Sequence, residues 1–220
     1  MLIAIDGACK RNGKVDCISA GVAWVQTEEN DLYYVSYIEE GSTSQRGEIY
    51  GLLKALKEAA STPKTEDIII VTDSEYVYNT VMLEWCFKWE ANDWLGATGD
   101  IVKNFDLWAI ACRYIRTIGK ERIYMQWTKG HLLAYTPTNI KKAMAEDSDA
   151  LILYERITTM ANILGNADTI VTKFNRERRD HDQDQVPPEV ALQWVISNTT
   201  ADCLAYYLIN LYNDEIKQRA

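Results

Sequence analysis

Residues Asp67–Asn79 read D-I-I-I-V-T-D-S-E-Y-V-Y-N. Ile68, Ile69, Ile70 and Val71 are consecutive β-branched residues, a run suited to a central strand covered on both faces. The run stops at Thr72-Asp73-Ser74, and a helical spacing of Tyr76, Val77, Thr80 and Val81 begins at once. Asp73 therefore falls at the carboxyl end of a buried strand, where open α/β sheets place their chemistry. An Asp there can equally cap the following helix. Other carboxylates along the chain weigh between the two readings.

Upstream, residues 2–8 alternate, with Leu2, Ala4 and Asp6 on one face and Ile3 and Ile5 on the other. An Asp inside such a strand is unusual, because strands disfavour it. The Asn12-Gly13 pair is a hairpin signal, and strands over Cys17–Gln26 and Leu32–Ile38 complete an antiparallel meander. Candidate caps around Gly41–Gly47 open a helix to about Ala60 with an apolar stripe of Ile49, Leu52, Leu53 and Leu56. Glu48 stands one turn before Leu52, on the inward side.

Downstream, Glu84–Thr98 spreads Trp85, Trp89 and Trp94 among polar residues. A helix is expected over about 100–118, a last strand over Glu121–Trp127, and a loop holding Lys129-Gly130-His131. A long helix is then expected from about Asn139 to Leu164. The order predicts an α/β fold with a mixed five-stranded sheet, antiparallel meander plus parallel strands, and helices on both faces. Residues 1–164 are read as the main domain and 165–220 as a charged linker and helical extension. Within the extension, Phe174–Gln185 reads as a solvated linker. Pro188 is read as starting one helix, and Thr199 or Thr200 as capping another that carries Leu204, Leu208 and Leu211. That stripe is too short to stand alone, so it packs on the main domain, a protein partner or a second copy.

The chain has 220 residues, 47% hydrophobic and 25% charged, which is globular composition with ample length for a core. No apolar run reaches membrane-spanning length and the start does not resemble a signal peptide. Five scattered cysteines without a C-x-x-C read as reduced thiols of a cytoplasmic protein. The net charge of −9 argues against a nonspecific polyanion binder. An acidic nucleic-acid enzyme is compatible with it if cations at the site neutralise part of the repulsion.

Four acids occupy special positions: Asp6 in mid-strand, Glu48 in a first helical turn, Asp73 at a strand end, and Asp149 on the late helix. With the first strand beside the central one, all four can converge. Each like-charge pair at about 4 Å would then oppose folding by roughly 4 kcal/mol at an effective dielectric near 20, before screening. Hard divalent cations with oxygen ligands are the natural compensators, and a pair of Mg²⁺ ions, with Mn²⁺ as substitute, suits phosphodiester hydrolysis.

The chain resembles the type 1 ribonuclease H family, which cuts the RNA strand of RNA–DNA hybrids. The resemblance rests on Ile5-Asp6-Gly7-Ala8, Arg46-Gly47-Glu48, Val71–Val77, Asn104–Trp108, Trp127–His131 and Asp149-Ala150-Leu151, in the family's order and covering roughly residues 1–160. It implies that Asp6, Glu48, Asp73 and Asp149 ligate two metal ions, with Glu146 and Asp147 as rivals of Asp149. His131 resembles the histidine that assists proton transfer or product release, against the reading of an exposed loop residue. Asn12, Ser44 and Gln45 lie where the family contacts the minor groove, although Asn12 is also a turn former. Thr43 and Asn104 match a pocket for a DNA-strand phosphate, and Trp85 is placed to flank a DNA channel or to fill core.

Three departures stand out. Glu75 replaces an amide common two residues after the catalytic Asp. In Lys88–Lys103, the place of a basic substrate-binding protrusion, Glu90, Asp93 and Asp100 outnumber the lysines. The Pro137-Thr138-Asn139 stretch also differs from the usual loop after the histidine. The resemblance implies an Mg²⁺-dependent endoribonuclease leaving 5′-phosphate and 3′-hydroxyl ends. The alternatives are a nuclease of the same superfold that acts on DNA, and a non-catalytic hybrid-binding module.

Overall fold

Five strands form one sheet in the order β3-β2-β1-β4-β5, in a computed structural model that describes residues 1–14, 16–133, 149–163 and 167–219. The strands are β1 (Leu2–Lys10), β2 (Ile18–Gln26), β3 (Leu32–Glu40), β4 (Ile68–Thr72) and β5 (Ile123–Trp127). β1–β3 pair antiparallel as the expected meander, whereas β4 runs parallel to both β1 and β5. The mixed sheet with helices on both faces is the expected fold class.

Alternation along β1 decides which residues meet which helices. Ile3 and Ile5, with Ile68 and Ile70 of β4, face a core built with α1 (Ser44–Ser61) and α4 (Phe105–Ile118). Two short helices, α2 (Glu75–Met82) and α3 (Trp85–Ala91), lie between β4 and α4, and Trp89 and Trp94 pack against this core. Leu2 and Ala4, with Val22, Trp24 and Val71, face the second core, built with α5 (Ala150–Ile163), α6 (Ala167–Asp180) and α7 (Pro188–Arg219).

The expected helix from Asn139 is described only from Ala150 onward; Pro137, Thr138, Glu146 and Asp147 lie outside the described residues. Two other expectations differ from the structure. Of Phe174–Gln185, expected as linker, the part up to Asp180 is the end of helix Ala167–Asp180, because Ile170, Phe174 and Arg178 recur at helical spacing and are buried. The pair of helices expected after Pro188 is one helix of 32 residues. Thr199 and Thr200 do not cap a new helix; their hydroxyls donate to the carbonyls of Val195 and Ile196 at 2.8 Å, the bond of a threonine inside a helix. The apolar stripe of α7 lies along β1 and β2. Leu204 is buried there and Leu208 packs against the same core, so of the expected coverings the main domain takes these two, while Leu211 is exposed.

Candidate active site

Strand pairing sets the first two acids level. β1 and β4 pair in a register that includes Ala4 opposite Val71, and carrying it two residues onward brings Asp6 level with Asp73. Adjacent strands lie about 4.8 Å apart, close enough for the two carboxylates to share a ligand. Asp73 does not cap the following helix; Ser74 does, its hydroxyl accepting from the Val77 amide at 3.4 Å. The carboxylate of Asp73 is thereby left to the site.

The third acid depends on close approach of helix and sheet. A Cβ on Gly7 would lie 2.2 Å from the Glu48 amide nitrogen and 2.5 Å from the Gly47 carbonyl carbon, so only glycine allows α1 this near β1. The contact delivers Glu48 beside Asp6. Asp6, Glu48 and Asp73 each offer a carboxylate oxygen within 4.8 Å of the others. Gly130 seals the opposite side: a Cβ there would lie 2.3 Å from Asp73 Oδ2. The Trp127 indole donates to the Asp73 carbonyl at 3.2 Å and ties the end of β5 to the same turn.

Burial and mutual repulsion dominate the electrostatics. Desolvation, then the charges of Asp73, Glu48 and Asp202, push Asp6 well above the usual carboxylate range, although the Gly7 amide donates to its Oδ1 at 2.6 Å. Glu48 is raised by burial and by Asp73 and Asp202, and its Oε2 is buried with no hydrogen-bond partner among the described residues. Burial and Asp202 lift Asp73 to about 6. A buried oxygen without a partner amid three raised acids fits a hard divalent cation, which would satisfy the oxygen and offset the repulsion.

Asp202 was not anticipated from the sequence. It lies on α7 and bears electrostatically on all three clustered acids. Its Oδ2 is 3.2 Å from His131 Nδ1, which joins the histidine loop to the cluster. A signal for it exists in the chain: Leu204 follows Asp202 at the spacing by which Leu151 follows Asp149, and Ala201, Cys203 and Leu204 around it are buried. Asp149 is exposed in front of α5, where its Oδ1 accepts from the Leu151 amide at 2.8 Å. It is not one of the three grouped acids.

The remaining expected residues fall on the β1–β2 turn, at the starts of α1 and α4, and in α3. Asn12 and Ser44 bond each other, Asn12 Nδ2 donating to Ser44 Oγ at 3.1 Å and the Ser44 amide donating to Asn12 Oδ1 at 3.3 Å. Gln45 is exposed beside them. Thr43 caps α1 by accepting from the Arg46 amide, and Asn104, with φ of 60°, precedes α4. Arg46 holds the two helix starts together, donating to both carboxylate oxygens of Asp106 at 3.0 and 2.9 Å. Trp85 is half-buried, 6.2 Å from the ring of Trp89.

Residues 1–142 match the RNase H family. A ribonuclease H of Haemophilus influenzae is 33% identical over 130 residues, which are 59% of this chain and 77% of that protein. A ribonuclease H of Francisella philomiragia is 32% identical over 126 residues, 57% of this chain and 76% of its own. Among solved structures, the chain is similar to the PFV RNase H domain, with 20% identity, 69% of this chain and 92% of that one covered, and a TM-score of 0.48. The family match contains Asp6, Glu48, Asp73 and His131, and ends before both Asp149 and Asp202. With the family match spanning well over half of its length, this chain belongs to the type 1 ribonuclease H family and is an enzyme of that family.

Proposed function

We propose that the protein hydrolyses the RNA strand of RNA–DNA hybrids with two divalent cations, Mg²⁺ or in its place Mn²⁺, leaving 5′-phosphate and 3′-hydroxyl ends. The observation that carries this reading is the grouping of Asp6, Glu48 and Asp73, with the orphaned Glu48 Oε2 among them. These three acids hold the metal, and Asp202 is the fourth carboxylate in preference to Asp149, because it bears electrostatically on all three and reaches His131. When bound, such ions lower the pKa of the attacking water and neutralise the departing 3′-oxygen.

The chain's own residues do the rest. Asp202 engages His131 at Nδ1 and orients the imidazole, leaving Nε2 to hand a proton to the product oxygen. Asn12, Ser44 and Gln45 present amide and hydroxyl groups of the kind that recognise 2′-hydroxyls across the minor groove. Thr43 and Asn104 flank the Arg46–Asp106 bridge as a seat for a DNA-strand phosphate.

The test is cleavage of a labelled hybrid with Mg²⁺, with chelator, and with Asp73→Asn. Chelator should stop the reaction, and Asp73→Asn should lower kcat by at least about 10³-fold, roughly 4 kcal/mol of transition-state stabilisation. Equal cutting of double-stranded DNA would instead assign the chain to DNA. Binding of hybrid without cleavage would make it a non-catalytic module.

A further inference from the structure

The segment expected to supply basic contacts, Lys88–Lys103, carries three acids against two lysines. Cations gather elsewhere. Lys173–Arg179, K-F-N-R-E-R-R, holds four cations and one acid in a chain of net charge −9. Of these, Arg178 is an anchor. It is 4% exposed and donates to the Asp184 carbonyl at 2.7 Å, the Gln126 side chain at 3.2 Å and the Trp127 carbonyl at 3.4 Å. Its guanidinium also lies over the rings of Phe174 and Trp194. A buried guanidinium bonded to the last residues of β5 fixes the carboxyl end of α6 at the carboxyl edge of the sheet.

The other cations are displayed there. Lys173, Arg176 and Arg179 are exposed at successive three-residue steps of the helix. Glu177, 15% exposed, holds Lys129 at 3.1 Å and Arg176 at 3.5 Å, while those two side chains remain 53% and 57% exposed. Lys129 adjoins Gly130, whose backbone abuts Asp73. His181 stacks on Trp127 with ring centroids 3.8 Å apart and sets its Nε2 3.6 Å from Glu75 Oε1, two residues after Asp73. Among the described residues neither Lys173 nor Arg179 has an ion-pair partner. A cationic rim beside an acid cluster suits a polyanion that must enter it.

We propose that α6 forms a second nucleic-acid contact: Arg176 and Arg179, with Lys129 of the loop after β5, take backbone phosphates of the substrate on the β5 side of the acid cluster. The contact rests on the hybrid-cleaving reading and replaces the missing basic protrusion. Its two arginines stand outside the region that the family match covers, whereas Lys129 stands within it.

The experiment compares Arg176→Gln/Arg179→Gln with a charge-matched control, Lys57→Gln/Lys64→Gln, whose cations lie at and beyond the far end of α1 from Glu48. Hybrid binding is measured in chelator against salt, and KM and kcat with Mg²⁺. The α6 pair should raise KM about 10-fold near 0.1 M salt with kcat held, and lower the slope of log K against log[salt] by about 2. The control should change neither. Lys129→Gln alone should reduce the slope by about 1. An α6 pair that binds like the wild type, or a control that loses as much, overturns the rim and leaves the cleavage reading standing. A wild-type chain that neither binds nor cuts hybrid overturns both.

Discussion

Two ways of delivering an acid to one place coexist in this molecule. Asp6, Glu48 and Asp73 are set by short-range geometry: adjacent strands in fixed register, and a helix drawn onto β1 because Gly7 has no side chain. Asp202 arrives on a long helix that, among the described residues, follows α5 and α6 after the histidine loop. The first kind of placement is insensitive to chain length elsewhere, whereas the second tolerates any insertion that lets the helix return to β1. The difference teaches that a carboxylate's address in sequence says little when its partner contacts come from tertiary packing.

Exchanging the two candidates for the fourth acid is the severest test of that contrast. Asp202→Asn should reduce kcat about 100-fold or more, and Asp149→Asn less than about 3-fold, measured by hybrid cleavage in Mg²⁺. The reverse ranking would return the role to Asp149 and break the comparison. A smaller effect is expected on the rigid side. Gly130→Ala forces a methyl onto Asp73 Oδ2, so the carboxylate must turn, and kcat should fall about 10-fold with the fold intact by circular dichroism. An alanine variant with full activity would show that the position of Asp73 is less constrained than its packing.

The smallest effect is thermodynamic and has a definite sign. Burial and Asp202 raise Asp73 from 3.8 to about 6 in the folded protein. A raised carboxylate favours the folded state while it is protonated, and that contribution is lost as pH climbs from about 4 through about 6. In chelator, Asp73→Asn should therefore melt at the same temperature as wild type near pH 4. It should melt a few degrees higher near pH 7, for up to about 3 kcal/mol of relieved repulsion. Adding Mg²⁺ should raise the wild-type melting temperature and narrow the gap. A chelated variant that melts lower than wild type at pH 7 would remove the clustered-charge argument.

The sequence was most informative where period and punctuation agree. The Ile68–Val71 run, the Asn12-Gly13 turn and the alternation in β1 located the sheet and assigned Asp6 to the face on which α7 packs. Charge misleads at α6, because a run of both signs has the composition of a solvated stretch, yet Arg178 is buried against Trp127 and Trp194. Hydroxyls misled the reading of α7, because Thr199 and Thr200 satisfy themselves on the preceding turn instead of starting a helix. Asp202 was hidden for a third reason. Its significance lies in proximity to Asp6, Glu48 and His131, and the Asp-x-Leu spacing it shares with Asp149 does not by itself say which of the two reaches them.

The 32-residue α7 has a consequence for how the chain is made. It covers the side of the sheet formed by Leu2, Ala4, Val22 and Trp24, residues synthesised long before it. Until α7 has followed them out, a nascent chain displays that greasy surface. On the role proposed for Asp202, completion of the site and burial of that surface are then one event.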